Sequence, residues 1–461
     1  MTEWKLGSKT LLISLLSFSL LGLITQDLSL TLWVTLVMFL LSIDKTKMQI
    51  PLAKIFTFFF LYLFVFRYLV LNFFHQKSSL GQVEIAMQDL RSTLMITTQA
   101  SVLFLMTLLI FRPRDNLVVH QMSLGKWIES ESSTKFSNIL FGLSMLGFFL
   151  LLFSSRSFAE LISILFSHQK REASKSLTWQ FGMTFWSLFA TPTLSLELLK
   201  VVYREGRQLD RKFPIKLIIL LLILTIIFGS RLSIMIAGVM LFAFSTYLNL
   251  TIKKRWTFFA LFALIVFIFI GGARTDSNVL SFNTEKIISA TTYPVLDAAA
   301  LVAYTSSDIP LQLSSGERYT AYLKSMIPRF LWPKKPLLTN YTLDWQIANA
   351  FGYENQRGIT GWPSGFTSEP FLVKGRAGVM IYTVTLALVL LLLSARINTR
   401  STFRLPGQEF VLIFSVIYFL IAIVKDGDTL ASMQGSVRLC IWLEIALFAV
   451  VFFEKLNKPK G

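Results

Sequence analysis

Apolar runs of close to twenty residues recur along this chain, and a helix of that length crosses about 30 Å of hydrocarbon. They lie at about 10–26, 29–43, 54–74, 93–111, 136–154, 180–199, 214–230, 232–251, 256–273, 376–394, 407–424 and 437–453. The composition agrees, with 54% hydrophobic and 15% charged residues, against roughly 25% charged in soluble domains. The expected fold is an all-α polytopic membrane protein of about twelve transmembrane helices. The second run is short, and 158–166 is apolar but too short to span. No small-residue cleavage site follows the first run, so it reads as an anchor and not as a removed signal peptide.

Lys and Arg outnumber Asp and Glu by 44 to 26. The excess sorts onto one side of the expected bundle, which makes it a topology signal and not a nucleic-acid footprint. With the N-terminus inside, that side collects Lys5, Lys9, Lys45, Lys47, Lys54, Arg112, Arg114, Lys126 and Lys135. It also takes the cluster from Lys200 to Lys216, then Lys253 to Arg255, Arg396, Arg400, Arg404 and the basic tail after Glu454. The opposite short loops are poorer, with Arg156 to Lys175 the discordant case. Both termini are therefore expected in the cytoplasm. Orientation and contact with anionic lipid are sufficient reasons for the basic clusters. The single Cys440 lies in an apolar run and reads as a small core residue, with no disulfide framework. No internal repeat is visible, which counts against the inverted halves of many transporters.

The expected organisation is nine spans over 1–273, a polar stretch over 274–375 facing outward, and three spans with a tail over 376–461. About a hundred residues between two helices is more than a connection needs. Within the stretch, Ile287 to Tyr304 is apolar enough to lie on the membrane or re-enter it. Ser314-Ser315-Gly316-Glu317 predicts a capped helix running to about Met326, ended by Pro328. Trp332 to Phe366, rich in Pro, Gly, Asn and aromatics, reads as an irregular folded loop.

Cations at the outer boundary are the first candidates for chemistry. Gly229-Ser230-Arg231 is the whole connection between the seventh and eighth runs. Arg231 there either snorkels to lipid phosphates and marks a helix end, or acts as a fixed guanidinium that grips phosphate at two points. Arg274, after Gly271-Gly272-Ala273, can join it or pair with Asp276. Arg318, Arg329, Lys334 and Lys335 alternate with Tyr319, Tyr322, Phe330 and Trp332. Aromatics beside cations suit a membrane interface, and they equally suit a sugar phosphate, with rings stacked on the sugar.

Glu369 stands just before the tenth run and is the best-placed carboxylate for a general base, with Asp297 and Asp344 as competitors. Its alternative role is pairing with Lys374 or Arg376. Arg67, inside the third run, is costly enough in lipid to be a functional candidate, and it can also snorkel toward His75. No zinc-binding His pair, nucleophile elbow, ATPase-type phosphate loop or paired Cys is present in the sequence.

Three segments carry a family resemblance. Phe228-Gly229-Ser230-Arg231-Leu232 resembles the Ser-Arg turn of bacterial O-antigen polymerases and the related O-antigen ligases. Ile327-Pro328-Arg329-Phe330-Leu331-Trp332-Pro333-Lys334-Lys335-Pro336 is similar to an element of the polymerases' large periplasmic loop. Ser368-Glu369-Pro370 through Gly378 resembles the approach to the next helix in the same proteins. Ligases usually carry a loop histidine, whereas His75, His120 and His168 all lie outside 274–375, so the resemblance favours the polymerase.

The resemblance implies a GT-C-type glycosyltransferase of the bacterial inner membrane that joins undecaprenyl-diphosphate-linked oligosaccharide units, with no cofactor or metal. It implies Glu369 and Arg231 as catalytic, and Arg231, Arg274, Arg318, Arg329 and Lys335 as the diphosphate clamp. Tyr319, Tyr322 and Trp332 would stack on sugar. Expected partners are lipid-linked donor and acceptor, membrane lipids and a chain-length regulator, without nucleic acid. The alternatives are an O-antigen ligase, a lipid-oligosaccharide flippase or other transporter, and a scaffold of an envelope-assembly complex.

Overall fold

The structure, a computed structural model, describes residues 52–60, 78–80, 83–111, 118–155, 157, 160–161, 177–206, 214–224, 231–248, 250, 296–312, 315–325, 342–351, 365–397, 405 and 407–456. The expected spans at 10–26, 29–43 and 256–273 lie outside these residues, as do Arg67, His75, Arg274, Arg329, Trp332, Lys334 and Lys335.

Helices dominate what is described. In chain order they are α1 (Leu52–Phe60), α2 (Met87–Ile110), α3 (Val118–Glu129), α4 (Glu131–Ser154), α5 (Leu177–Gly206), α6 (Ile215–Leu222) and α7 (Arg231–Tyr247). They continue as α8 (Leu296–Thr305), α9 (Ser315–Ser325), α10 (Leu343–Ala350), α11 (Ser368–Ile397), α12 (Gln408–Asp426) and α13 (Thr429–Leu456). Beside the helices, two three-residue strands, β1 (Ser78–Leu80) and β2 (Val83–Ile85), pair antiparallel with Leu80 opposite Val83. Strands of three residues are too short to show an alternating pattern, so the sequence carries no strand signal there.

Among the described residues, four helices are long and apolar enough to cross a membrane: Glu131–Ser154, Thr178–Glu205, Ser368–Ala395 and Thr429–Leu456. They contain the expected spans 136–154, 180–199, 376–394 and 437–453. Ser233–Tyr247 and Gln408–Val424 are shorter apolar helices at two further expected positions. Burial separates their roles, since 78% of the spanning window of α5 is enclosed by protein and 33% of those of α4 and α13. Helix α5 is therefore central, and the others turn much of their surface outward.

Small residues let α4 and α5 approach closely. A Cβ on Gly147 of α4 would lie 2.6 Å from the Trp186 backbone nitrogen, and one on Gly182 of α5 would lie 2.9 Å from the Gly147 oxygen. Lipid-embedded helices gain from this kind of close backbone approach, because hydrocarbon is as apolar as a leucine and burial alone does not drive them together.

Polar contacts fix which helix ends meet. Ser132 on α4 donates to the Glu454 carboxylate of α13 at 2.7 and 2.8 Å, and Lys135 lies 3.5 Å from it. Lys200 of α5 donates to the Ser133 carbonyl at 2.9 Å and lies 3.6 Å from Glu197, which also draws Lys216 to 3.9 Å. Tyr247, at the end of α7, donates to Glu409 at the start of α12. One end of the bundle thus gathers Lys135, Lys200 and Lys216, basic residues assigned to a single side from sequence. The start of α7, at Arg231, and the turn between α12 and α13 belong to the opposite end.

Candidate active site

The opposite end is organised by the turn Gly427-Asp428. Helix α12 stops at Gly427, whose φ of 68° is the left-handed conformation that ends helices, with its N–H donating to the Ile423 carbonyl at 2.9 Å. A side chain there is doubly excluded, because a Cβ would fall 1.7 Å from the Gly365 oxygen. Two glycine backbones therefore touch, and the chain just before α11 is pressed against the start of α13.

Asp428 then caps α13, its Oδ1 accepting from the Ala431 N–H at 3.0 Å. Its Oδ2 accepts from three other places: Arg318 Nη2 at 3.0 Å, the Tyr322 hydroxyl at 2.7 Å and the Leu343 N–H at 3.1 Å. Arg318 and Tyr322 stand four residues apart on α9, so both project from one face. The predicted helix over 315–326 is present as Ser315–Ser325.

Glu369 completes the cluster. Arg318 Nη1 lies 2.8 Å from its Oε1, and the Thr429 N–H donates to its Oε2 at 2.8 Å. The Thr429 hydroxyl in turn donates to Tyr382 at 2.7 Å. Glu369 rides on a short helical segment set off from the rest of α11 by a break at Lys374 and Gly375, where Gly375 takes φ 59°. Aromatic packing anchors this segment: Phe366 meets Phe56 edge-on at 5.4 Å, Phe56 stacks on Phe104 at 4.1 Å, and Phe371 meets Tyr304 at 5.1 Å.

All four groups are enclosed, with Arg318 2% exposed, Tyr322 2%, Asp428 5% and Glu369 6%. Burial works against the Arg318 charge, and the Glu369 and Asp428 carboxylates outweigh it, raising the pKa above the ordinary arginine value. One guanidinium faces two carboxylates, and the partial positive charge at the α13 N-terminus offsets part of the remainder. Chemically, the arrangement fixes a carboxylate in low-dielectric surroundings while a permanent cation holds it. Among the described residues, no three His, Cys, Asp or Glu side chains meet as a metal site would require.

Arg318, Tyr322 and Glu369 are thus brought together from the sequence candidates. Glu369 pairs with Arg318, 51 residues away, and not with Lys374 or Arg376, which are exposed. The Tyr322 ring is enclosed, and its hydroxyl serves Asp428. Tyr319 lies on α9, Arg231 opens α7 at this end, and Asp297 and Asp344 lie in the first turns of α8 and α10. Arg274, Arg329, Trp332 and Lys335 fall outside the described residues. Sequence reasoning missed Asp428. Its signal was Gly427-Asp428-Thr429, a helix stop followed at once by a cap residue, hidden because the apolar run of α13 becomes continuous only further on.

Comparison with known proteins finds no matching family model, no similar curated protein and no similar solved structure.

Proposed function

We propose that this chain is an integral-membrane glycosyltransferase of the O-antigen polymerase type, with about twelve spans and both termini in the cytoplasm of a bacterial inner membrane. Its substrates are undecaprenyl-diphosphate-linked oligosaccharide units, joined at the outer face. The observation that carries the reading is a buried carboxylate, Glu369, held by Arg318 from the polar stretch at one end of an apolar helix bundle. The sequence likeness at 228–232, 327–336 and 368–378 supplies the substrate class.

In this reading, a hydroxyl of the acceptor unit attacks the anomeric carbon of the donor as Glu369 takes its proton. The anomeric carbon–oxygen bond breaks, and its electron pair leaves with undecaprenyl diphosphate. Fixed cations are worth most where that charge develops. Arg231, Arg274, Arg329 and Lys335 form the clamp. Arg318, already engaged with two carboxylates, acts on Glu369 first and on diphosphate second. Neither a nucleotide nor a resident metal enters the scheme.

The test in cells is Arg231→Ala. Surface glycan is expected to shrink to single repeat units while the protein still inserts at normal level. Long polymer persisting at normal protein level would refute the clamp.

A further inference from the structure

We infer that Asp428 is a positioning residue for Glu369: its buried carboxylate seats α9 and α10 against the α12–α13 turn and, through Arg318, fixes the direction of Glu369. The inference rests on Glu369 being the base of the proposed reaction.

Two carboxylates share this cluster, and hydrogen-bond counting separates their roles. A carboxylate offers about four lone-pair sites. Asp428 commits its oxygens to the Ala431 N–H, the Leu343 N–H, Arg318 and Tyr322. Three of these donors converge on Oδ2, and Oδ1 is held at the α13 N-terminus as its cap. Glu369 accepts from Arg318 on one oxygen and from Thr429 on the other, so neither of its oxygens is crowded by three donors as Asp428 Oδ2 is.

The partners of Asp428 also come from three separate stretches of chain. Ala431 belongs to its own helix, Leu343 opens α10, and Arg318 with Tyr322 project from α9. One carboxylate therefore sits at the N-termini of two helices, α13 and α10, where negative charge is favoured. Its charge also holds both polar side chains of the α9 face turned toward it. Arg318 relays the constraint, because its planar guanidinium directs one nitrogen at Asp428 and the other at Glu369. Without the Asp428 charge, Arg318 loses the anchor on its Nη2, and the guanidinium that faces Glu369 is less firmly directed.

Asp428→Asn is the informative variant, since Asn also caps helices and preserves α13. The measurements use the full chain in lipid nanodiscs: amide hydrogen exchange of peptides spanning 315–325 and 343–350, and steady-state turnover with lipid-linked repeat units. Exchange in both peptides is expected to rise at least roughly tenfold, with the 131–154 peptide unchanged. Turnover is expected to show kcat down about 100-fold and KM for the lipid-linked unit within roughly twofold, because the binding cations remain and the base alone is misdirected. Unchanged exchange overturns the seating of the helices. Unchanged kcat, or a loss confined to KM, overturns the positioning role. Should Asp428→Asn fail to accumulate, Tyr322→Phe decides, because it keeps both charges and removes one hydroxyl. That variant is expected to raise exchange in 315–325 roughly threefold, and no change there overturns the inference. The exchange arm needs no turnover, so a wild-type protein without polymerase activity would sink the functional reading separately.

Discussion

Replacing Arg318 with Met removes the guanidinium from the cluster and keeps an unbranched apolar stem. In the native arrangement its nitrogens lie 2.8 Å from Glu369 and 3.0 Å from Asp428. At an effective dielectric near 20, unit charges about 4 Å apart attract by ~4 kcal/mol, so the two contacts sum to ~8 kcal/mol before costs. Desolvating the guanidinium offsets several kcal/mol of that. What remains in the variant is two buried carboxylates without the cation that paired them, and stripping one member from a buried ion group costs ~3–5 kcal/mol. At ~1.4 kcal/mol per decade, the opening equilibrium of α9 rises by roughly two to three and a half decades. Hydrogen exchange of the 315–325 peptide reads this directly. The companion variant, Arg318→Met with Glu369→Gln and Asp428→Asn, leaves no unpaired charge and is expected to recover most of the protection. Exchange within threefold of wild type in the single variant would refute the ion-pair reasoning. A triple variant no better protected than the single would assign the loss to packing.

Two further perturbations test the ends of the bundle. Gly427→Ala places a Cβ 1.7 Å from the Gly365 oxygen at φ 68°, so a loss of roughly 3 kcal/mol is expected; an unchanged thermal midpoint in detergent would contradict the glycine contact. Tyr247→Phe strips a hydroxyl donor from buried Glu409 and is expected to cost ~1–3 kcal/mol. Adding Glu409→Gln should restore part of it, and an additive double variant would refute the pairing.

The parts of the cluster differ in how readable they are from sequence. Helix α9 is local in origin: Ser-Ser-Gly-Glu starts it, and its four-residue spacing puts Arg318 and Tyr322 on one face. Glu369 stands out as a carboxylate beside a long apolar run. The pairing of Arg318 with Glu369 is different, because nothing local joins residues 51 apart in sequence. Lys374 and Arg376, nearer in sequence, are the partners that spacing favours, yet the break at Lys374–Gly375 turns the Glu369 segment away from the helix they begin. Asp428 is harder still. Hydropathy places the start of the last span several residues late, so the polar first turns of α13 read as loop and its cap residue reads as nothing in particular. The two-glycine contact at 365 and 427 is what aligns that cap with the end of the polar stretch, and contact between distant backbones leaves no periodic trace.

The central claim is glycosyl transfer between lipid-linked units, with Glu369 taking the proton. The most direct measurement incubates purified protein in nanodiscs with undecaprenyl-diphosphate-linked repeat units, without ATP or added metal, and resolves the products on a gel. The account predicts a ladder of products increasing by one repeat unit, lost in Glu369→Gln at equal protein level. Absence of any ladder from folded wild-type protein, or a ladder undiminished in Glu369→Gln, would contradict it.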